Sequence, residues 1–294
     1  GTLGRLAGIF YKCLNLSTHK RIRLIHTFHG HIFEGYFGKI QTKLFILIER
    51  FLAIFTSQII TVSDSVKNEL IALCICDERK IGVIPLGLEL DKFLEIPSRD
   101  NTVSNIGIVG RLVPIKNHRL FLETAAKIIA DNPGVQLRFK IIGDGELRKD
   151  LEEYAYRLDI NTYVDFLGWQ KDLVSVYSDL DIVALTSKNE GTPVSLIEAM
   201  ASGRAVVATD VGGVKDLLGN GIESYPDTGF KVLKRGILVK SCDSDSFSSA
   251  LSYILRDRSL RENIAFRARA FVREKFTKER LIRDIEILYD RILN

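Results

Sequence analysis

The stretch Asn105-Ile-Gly-Ile-Val-Gly-Arg-Leu-Val-Pro-Ile-Lys-Asn117 opens a series in which short apolar runs alternate with amphipathic segments. This alternation predicts repeated βα units and a parallel sheet, with strands at residues 105–109, 138–142, 163–167, 181–186, 205–209 and 236–239. Helices are predicted between them, at residues 118–130, 146–158, 172–178, 193–201 and 214–218, and Asn117 is predicted to cap the first of these. We therefore expect an α/β, Rossmann-like domain that binds its ligand beyond the carboxyl ends of the strands.

Two carboxylates stand eight positions apart in Glu190-Gly-Thr-Pro-Val-Ser-Leu-Ile-Glu198. Thr192 is predicted to cap a helix, Pro193 to occupy its first position and Gly203 to end it. Glu190 would then lie on the loop and Glu198 about a turn and a half into the helix. Because a helix N-terminus favours anions, this pattern indicates a ligand that carries both phosphate and hydroxyl groups.

The amino-terminal part of the chain gives fewer elements. We predict strands at 22–26, 58–62 and 80–84, an amphipathic segment at 41–55 and a helix at 65–73, followed by a linker at 89–101. The predicted domains are 1–95 and 103–270, with a last helix within 271–294 that packs back on the first domain. Three strands leave a sheet edge uncovered, so we expect an amino-terminally truncated first domain that lacks its opening βα units.

The bulk composition indicates a globular chain of about two domains. Of its 294 residues 46% are hydrophobic, and 41 basic against 37 acidic residues give a net charge of +4, too balanced to indicate nucleic-acid binding. Cys74 and Cys76 form the one close cysteine pair, which lacks a zinc-site spacing and suits free thiols in a cytoplasmic protein. The sequence has no signal-peptide pattern and no apolar run of membrane-spanning length, and Gly1 is expected to be either an interior position of a longer product or an artificial boundary.

Four segments in order carry a resemblance: Gly110-Arg-Leu-Val-Pro-Ile-Lys-Asn117, Ile142-Gly-Asp-Gly-Glu146, Val164-Asp-Phe-Leu-Gly168 and the E-x7-E pattern with Ala199-Met-Ala-Ser-Gly-Arg204 after it. Together they resemble the nucleotide-sugar-dependent glycosyltransferases of family 4, also called group 1. The resemblance implies the GT-B fold, with two Rossmann-like domains, and a retaining transfer from a nucleotide diphosphate sugar, UDP- or GDP-linked.

The resemblance also implies roles for cations and carboxylates. Arg111 and Lys116 would bind the donor diphosphate without a metal, the alternative being a solvated basic loop. Glu190 would act catalytically at the donor sugar, and Glu198 would accept hydrogen bonds from the ribose, the alternative being ordinary helix-start residues. No cofactor and no metal site are expected, because Asp243-Ser-Asp245 is predicted to be a helix cap.

The remaining predicted site residues are glycines, their neighbours and one histidine. Gly191, Thr192 and Pro193 would approach sugar and phosphate, while Gly143, Gly168 and Trp169 would surround the base. A plain strand-to-helix turn explains the Gly143 segment equally well, and Trp169 would either stack on a base or cover the cleft rim.

In Thr27-Phe-His-Gly-His31, the family's T-x-H-G element maps onto His29, which would be catalytic, and His31 has a weaker claim. The alternative for a histidine after a strand is a purely structural role.

We thus expect a hexosyltransferase of cell-surface polysaccharide or glycoconjugate synthesis, with a nucleotide-sugar donor and a glycan or lipid-linked acceptor. The aromatic stretch at 33–37 and the basic residues Lys39, Lys43 and Arg50 suit either a peripheral contact at the inner face of the membrane or ordinary core packing. The alternatives for the whole chain are a non-catalytic nucleotide-sugar-binding or partner protein and a nucleotide-sugar 2-epimerase.

Overall fold

The structure is a computed structural model that describes residues 1–14, 22–30, 38–97, 104–225, 229–240 and 242–293. In chain order the helices are α1 Thr2–Leu14, α2 Lys39–Phe55, α3 Asp64–Ala72, α4 Asp91–Leu94, α5 His118–Asp131, α6 Arg148–Arg157, α7 Leu173–Ser178, α8 Val194–Ala201, α9 Val214–Leu218, α10 Ser244–Arg256, α11 Arg258–Lys275 and α12 Lys278–Leu293. The strands are β1 Ile25–Phe28, β2 Gln58–Thr61, β3 Ile81–Val83, β4 Ser104–Val109, β5 Leu137–Ile142, β6 Val164–Gly168, β7 Ile182–Leu185, β8 Ala205–Thr209, β9 Gly221–Tyr225, β10 Phe230–Leu233 and β11 Gly236–Val239.

The chain divides into two compact units. The first unit comprises Gly1–Leu88, Glu190–Thr192 and Phe276–Asn294, and the second comprises Glu89–Asn189 and Pro193–Lys275. Each unit has its own sheet.

The second unit has an eight-stranded sheet of order β6-β5-β4-β7-β8-β11-β10-β9. The six predicted strands are present and pair in parallel from β6 to β11, which confirms the predicted Rossmann-like α/β class. The prediction missed β9 and β10, which extend the sheet in antiparallel fashion. They are short, and each holds its place by pairing with a neighbouring strand, which no local periodicity reveals.

Helices cover both faces of this sheet. Val207 of β8 belongs to a core cluster with Phe121 of α5 and Phe247 of α10. Val206 and Ala208, which alternate with it and point to the other face, are also fully buried, and α8 and α11 contact β8. Burial on both faces explains why β7 and β8 are continuous apolar runs rather than alternating ones.

The first unit has a three-stranded parallel sheet of order β1-β2-β3. A buried ion pair joins α1 to α2, with Arg5 Nη2 2.5 Å from Glu49 Oε2. At the other end of the chain, Arg280 of α12 donates to the carbonyls of Pro85 and Leu86 at 2.8 and 2.5 Å. None of the helices in the described parts of the chain combines the length and the apolar character that a membrane span requires.

Three predictions in and around these elements were wrong. The strand predicted at 22–26 lies at Ile25–Phe28, three residues later. The predicted linker is not a linker over residues 89–97, because α4 packs on α7 and α8, and Leu90 is 1% exposed. Asn117 was expected to cap α5, but it adopts the left-handed conformation with φ 53° and its side chain makes no capping hydrogen bond.

The helix after Glu190 begins one residue later than predicted. Pro193 is extended, at φ −72° and ψ 109°, and occupies the N-cap position, so the expected Thr192 cap was wrong. The predicted end at Gly203 is confirmed: φ is +67°, and the amides of Gly203 and Arg204 donate to Met200 and Ala199. Glu190 lies on the loop and Glu198 is the fifth helical residue, as predicted.

Candidate functional site

Three adjacent strands of the second unit end in loops that are hydrogen-bonded to one another. After β4, the amide of Gly110 donates to the Ile142 carbonyl, and after β5 the amide of Gly143 donates to the Gly168 carbonyl, both at 2.9 Å. Gly143 has φ +135°, and a Cβ there would lie 2.0 Å from the Gly110 carbonyl oxygen. Only glycine fits this position, so the structure gives Gly143 a steric requirement beyond that of a plain turn.

Leu112, two residues after Gly110, adds further hydrogen bonds between the same two loops. Leu112 donates its amide to the Asp144 carbonyl at 3.0 Å and accepts at its own carbonyl from the Leu147 amide at 3.1 Å. A Cβ on Gly145 would stand 2.5 Å from the Leu112 carbonyl oxygen. The backbone after β4 therefore fits directly against the backbone after β5, and the two loops form one surface.

Lys116 lies at the same edge, held through its backbone by the loop after β7. The Thr186 hydroxyl donates to the Lys116 carbonyl at 3.0 Å, and the Lys188 amide donates to the Ile115 carbonyl at 2.8 Å. The aliphatic stem of Lys116 passes 3.8 Å from where a Cβ on Gly110 would be. Arg111 is exposed in the same loop, so both predicted phosphate-binding cations stand near the glycine edge.

His118 follows this loop and was not predicted as a site residue. It is 1% exposed, and burial together with the Lys116 charge lowers its pKa to about 4. Its imidazole is therefore neutral at physiological pH and adds no charge to the loop.

Glu198 is half-buried on α8, and a second residue holds its carboxylate. The Tyr177 hydroxyl lies 3.0 Å from Glu198 Oε2 and 3.0 Å from the Ser195 carbonyl oxygen. Burial raises the pKa of Glu198 above its ordinary value, and the hydrogen bond from Tyr177 works in the opposite direction. Sequence reasoning missed Tyr177, although a tyrosine that ends an otherwise apolar helix face needs a partner for its hydroxyl.

The other three residues predicted to form the site in the second unit are Pro193, Gly168 and Trp169, which differ in their exposure. Pro193 is buried at the start of α8. Gly168 has φ +67°, and a Cβ there would lie 3.0 Å from Arg148 Nη1. Trp169, the next residue, is 68% exposed, so a large aromatic face is available at the carboxyl end of β6.

Four predicted site residues belong to the first unit. His29 is exposed directly after β1, and it borders an apolar cavity of about 190 Å³ between the sheet and α12. A Cβ on Gly191 would lie 2.9 Å from Gly30 Cα and 3.1 Å from the His29 carbonyl oxygen, so Gly191 and the turn after β1 are in close backbone contact. Glu190 and Thr192 flank this glycine, and the Thr192 hydroxyl is buried with no hydrogen-bond partner among the described residues.

His31 and the aromatic stretch at 33–37 lie outside the described residues, and so does the side chain of Lys39. Asp243 caps α10 by accepting from the Ser246 amide, as predicted. Within the described part of the chain, no group of three or more histidine, cysteine or acidic residues is placed to hold a metal ion.

A mostly parallel sheet with glycine turns after adjacent strands, a lysine beside them and a carboxylate on α8 defines a Rossmann-like class of protein. The chain belongs to the family described as glycosyl transferases group 1, whose profile matches residues 91–271. The profile of glycosyltransferase family 4 matches residues 6–92.

Individual relatives agree with this assignment. The chain is 31% identical, over 81% of its length, to the UDP-Gal:alpha-D-GlcNAc-diphosphoundecaprenol alpha-1,3-galactosyltransferase of Escherichia coli, of which it covers 61%. It is 26% identical over 98% of its length to the capsular polysaccharide biosynthesis glycosyltransferase CapM of Staphylococcus aureus, covering 75% of that protein. It spans only 43% of a D-inositol 3-phosphate glycosyltransferase of Corynebacterium urealyticum, which is 32% identical over 60% of this chain.

A solved structure with the same fold is Anabaena HepE in complex with UDP. The TM-score is 0.80 at 20% identity, over 99% of this chain and 76% of that chain. The likeness confirms the predicted GT-B fold class.

Proposed function

We propose that this chain is the donor-binding part of a hexosyltransferase that moves a sugar from a nucleotide diphosphate sugar to a hydroxyl acceptor. The observation that carries the proposal is the edge of the second sheet, where the Gly110, Gly143 and Gly168 turns lie together beside Lys116. Gly110 leaves its backbone open to a diphosphate, and Lys116 beside it supplies positive charge.

The chemistry of the leaving group gives Lys116 and Arg111 their proposed task. Cleavage of the sugar–phosphate bond leaves a nucleoside diphosphate with an added negative charge, which a compact ammonium and a forked guanidinium can stabilise. We propose that these cations act without a divalent metal. Activity that survives EDTA unchanged would support this, and activity that returns only with added Mg²⁺ or Mn²⁺ would contradict it.

The remaining roles extend the family pattern to this chain. Glu198 would accept from the ribose hydroxyls, and Trp169 would stack on the base. Glu190, with Gly191 and Thr192, would serve the donor sugar, and His29 the acceptor side of the reaction. Retention of the anomeric configuration is part of the same proposal, and NMR of the first-formed product tests it.

We further propose a UDP-linked donor and a lipid-linked acceptor. The Escherichia coli relative is named for UDP-Gal and a diphosphoundecaprenol-linked acceptor, and HepE is titled with UDP. A contact with the inner face of the membrane follows from the same acceptor class, and α2 suits it because Ile40 is 85% exposed and Lys43 and Arg50 lie on the same helix.

The central experiment measures binding and turnover separately. UDP and GDP are titrated calorimetrically, and release of nucleoside diphosphate from UDP-glucose, UDP-galactose and GDP-mannose is followed with lipid-linked acceptors. Binding of UDP with release from one donor supports the proposal. Binding without release by this chain and by an amino-terminally extended version would favour the non-catalytic alternative, and an absence of binding to either nucleotide would refute both.

The membrane contact has its own test. Sedimentation with vesicles of phosphatidylglycerol is compared with vesicles of phosphatidylcholine, for the chain and for a variant with Lys43→Glu and Arg50→Glu. We expect binding to the anionic vesicles that the double substitution removes. Equal sedimentation of both proteins would remove the membrane from the proposal.

A further inference from the structure

Tyr177 is a buried tyrosine that no residue pattern assigned to the site. Its side chain is 0% exposed on α7, and its ring packs edge-on against Phe93, with 5.7 Å between ring centroids. Its hydroxyl reaches two acceptors on α8 at 3.0 Å, the Ser195 carbonyl oxygen and Glu198 Oε2. A phenol carries a single proton, so these two acceptors share it.

We infer that Tyr177 is a positioning residue for nucleotide recognition: it fixes the Glu198 carboxylate so that the protein selects ligands with ribose hydroxyls. The inference rests on the proposed function, in which Glu198 meets the ribose. With Oε2 engaged by Tyr177, Oε1 is the oxygen that would accept from the nucleotide.

The physical reason is orientation. A glutamate has three rotatable side-chain bonds, and a carboxylate that is already fixed loses less conformational freedom when a ligand arrives. Because Tyr177 also bonds the Ser195 carbonyl in the first turn of α8, it ties the carboxylate to the backbone of its own helix. Tyr177 is fully buried, and the core that surrounds its ring prevents the phenol from turning away.

The electrostatics of the pair agree with this role. Burial and the neighbouring Glu198 raise the pKa of Tyr177 well above its usual value, so its hydroxyl stays a donor throughout the working pH range. Burial and the Tyr177 hydrogen bond are the two causes that shift the pKa of Glu198. The other helices packed on α8 carry charges too, Asp91 and Lys92 on α4 and several arginines on α11, of which Arg269 donates to the Leu94 and Ile96 carbonyls.

The experiment compares two ligands that differ only in the ribose hydroxyls. UDP and 2′,3′-dideoxy-UDP are titrated calorimetrically into the wild-type chain, Tyr177→Phe and Phe93→Leu. Tyr177→Phe keeps the ring and removes the hydroxyl, and we expect it to weaken UDP binding about tenfold, the effect of one hydrogen bond to a charged group, with dideoxy-UDP unchanged. Phe93→Leu loosens the same packing but keeps the hydroxyl, so it should lower the melting temperature without changing the ratio of the two affinities.

A second readout is the pH dependence of UDP binding. Because the Tyr177 hydrogen bond lowers the pKa of Glu198, its removal raises that pKa further. The fall in UDP affinity on acidification should then begin at a higher pH in Tyr177→Phe than in the wild type. The double variant with Tyr177→Phe and Glu198→Gln should bind UDP as tightly as the single variant Glu198→Gln, because both changes act through one carboxylate.

Two results would overturn the inference while leaving the proposed function intact. Equal weakening of both ligands by Tyr177→Phe would make Tyr177 a structural residue, and unchanged binding of both would remove any role. If the wild-type chain binds UDP and dideoxy-UDP equally, the ribose role of Glu198 itself fails, and the inference fails with it.

Discussion

Replacing Gly143 by alanine tests the glycine edge most directly. The added Cβ would lie 2.0 Å from the Gly110 carbonyl oxygen, on a residue whose φ is +135°. An alanine held at such a φ costs about 1–2 kcal/mol, and forcing the two backbones apart costs about a further 1–3 kcal/mol. We therefore expect Gly143→Ala to lower the free energy of unfolding of the second unit by about 2–5 kcal/mol and to weaken UDP binding as the loops separate.

Gly134→Ala is the matched control for this change. Gly134 also has a positive φ, +90°, but nothing lies within 4 Å of the place that a Cβ would take there, so only the conformational strain of about 1–2 kcal/mol remains. Urea unfolding followed by tryptophan fluorescence, which reports on the second unit through Trp169, measures both variants. Equal destabilisation by the two substitutions, with UDP affinity retained in Gly143→Ala, would refute the claim that the strand-end loops form one close-packed surface.

Three further predictions concern charged residues. Lys116→Ala should weaken UDP binding about tenfold or more and reduce its dependence on salt, while Lys149→Ala, at an exposed position of α6, should change neither, as measured by calorimetry at two ionic strengths. Glu198→Gln should stabilise the fold at neutral pH. Because the pKa of Glu198 is raised in the folded state, the wild-type protein loses stability as the pH rises through that pKa, and the glutamine variant does not. The difference between the urea midpoints of the variant and the wild type should therefore increase from acid to neutral pH. Glu49→Ala should destabilise the first unit by about 3 kcal/mol because it leaves the buried Arg5 guanidinium without its carboxylate partner. Glu49→Gln keeps a hydrogen-bond acceptor and should lower the melting temperature less.

Much of the second sheet was predictable because its strands are buried on both faces. The run Ala205-Val-Val-Ala-Thr209 is short, rich in β-branched residues and preceded by Gly203, which favours a central strand, and its predicted bounds match those of β8. Strands near the sheet edge lack this signal: β10, next to the edge strand β9, has one exposed residue among three buried ones and depends on its pairing with β11 and β9. The first sheet was harder for the same reason, and β1, a four-residue strand at the edge of that sheet, was placed three residues too early.

In the candidate site too, features set by local sequence could be predicted, and features set by tertiary packing could not. The glycine positions could be predicted because few residue types fit a tight turn after a strand. The predicted Thr192 and Asn117 caps were wrong because the backbone conformation around each helix start is not set by the capping residue alone. Pro193 occupies the N-cap position, so α8 starts one residue later than predicted. Asn117 adopts a left-handed backbone conformation, and its side chain makes no capping hydrogen bond. Tyr177 and Glu198 are 21 positions apart, and only tertiary packing brings the hydroxyl to the carboxylate.

The interlocked turns after β4, β5 and β6 also limit how such a protein can diversify. Gly143 and Gly145 leave no space for a side chain, so neither position can vary without moving a neighbouring loop. The exposed Arg111 and Trp169 stand on the same edge and meet no such restriction. A library for changed nucleotide preference would therefore randomise Trp169, which is proposed to stack on the base, and keep the glycines and the proposed phosphate-binding residue Arg111 unchanged.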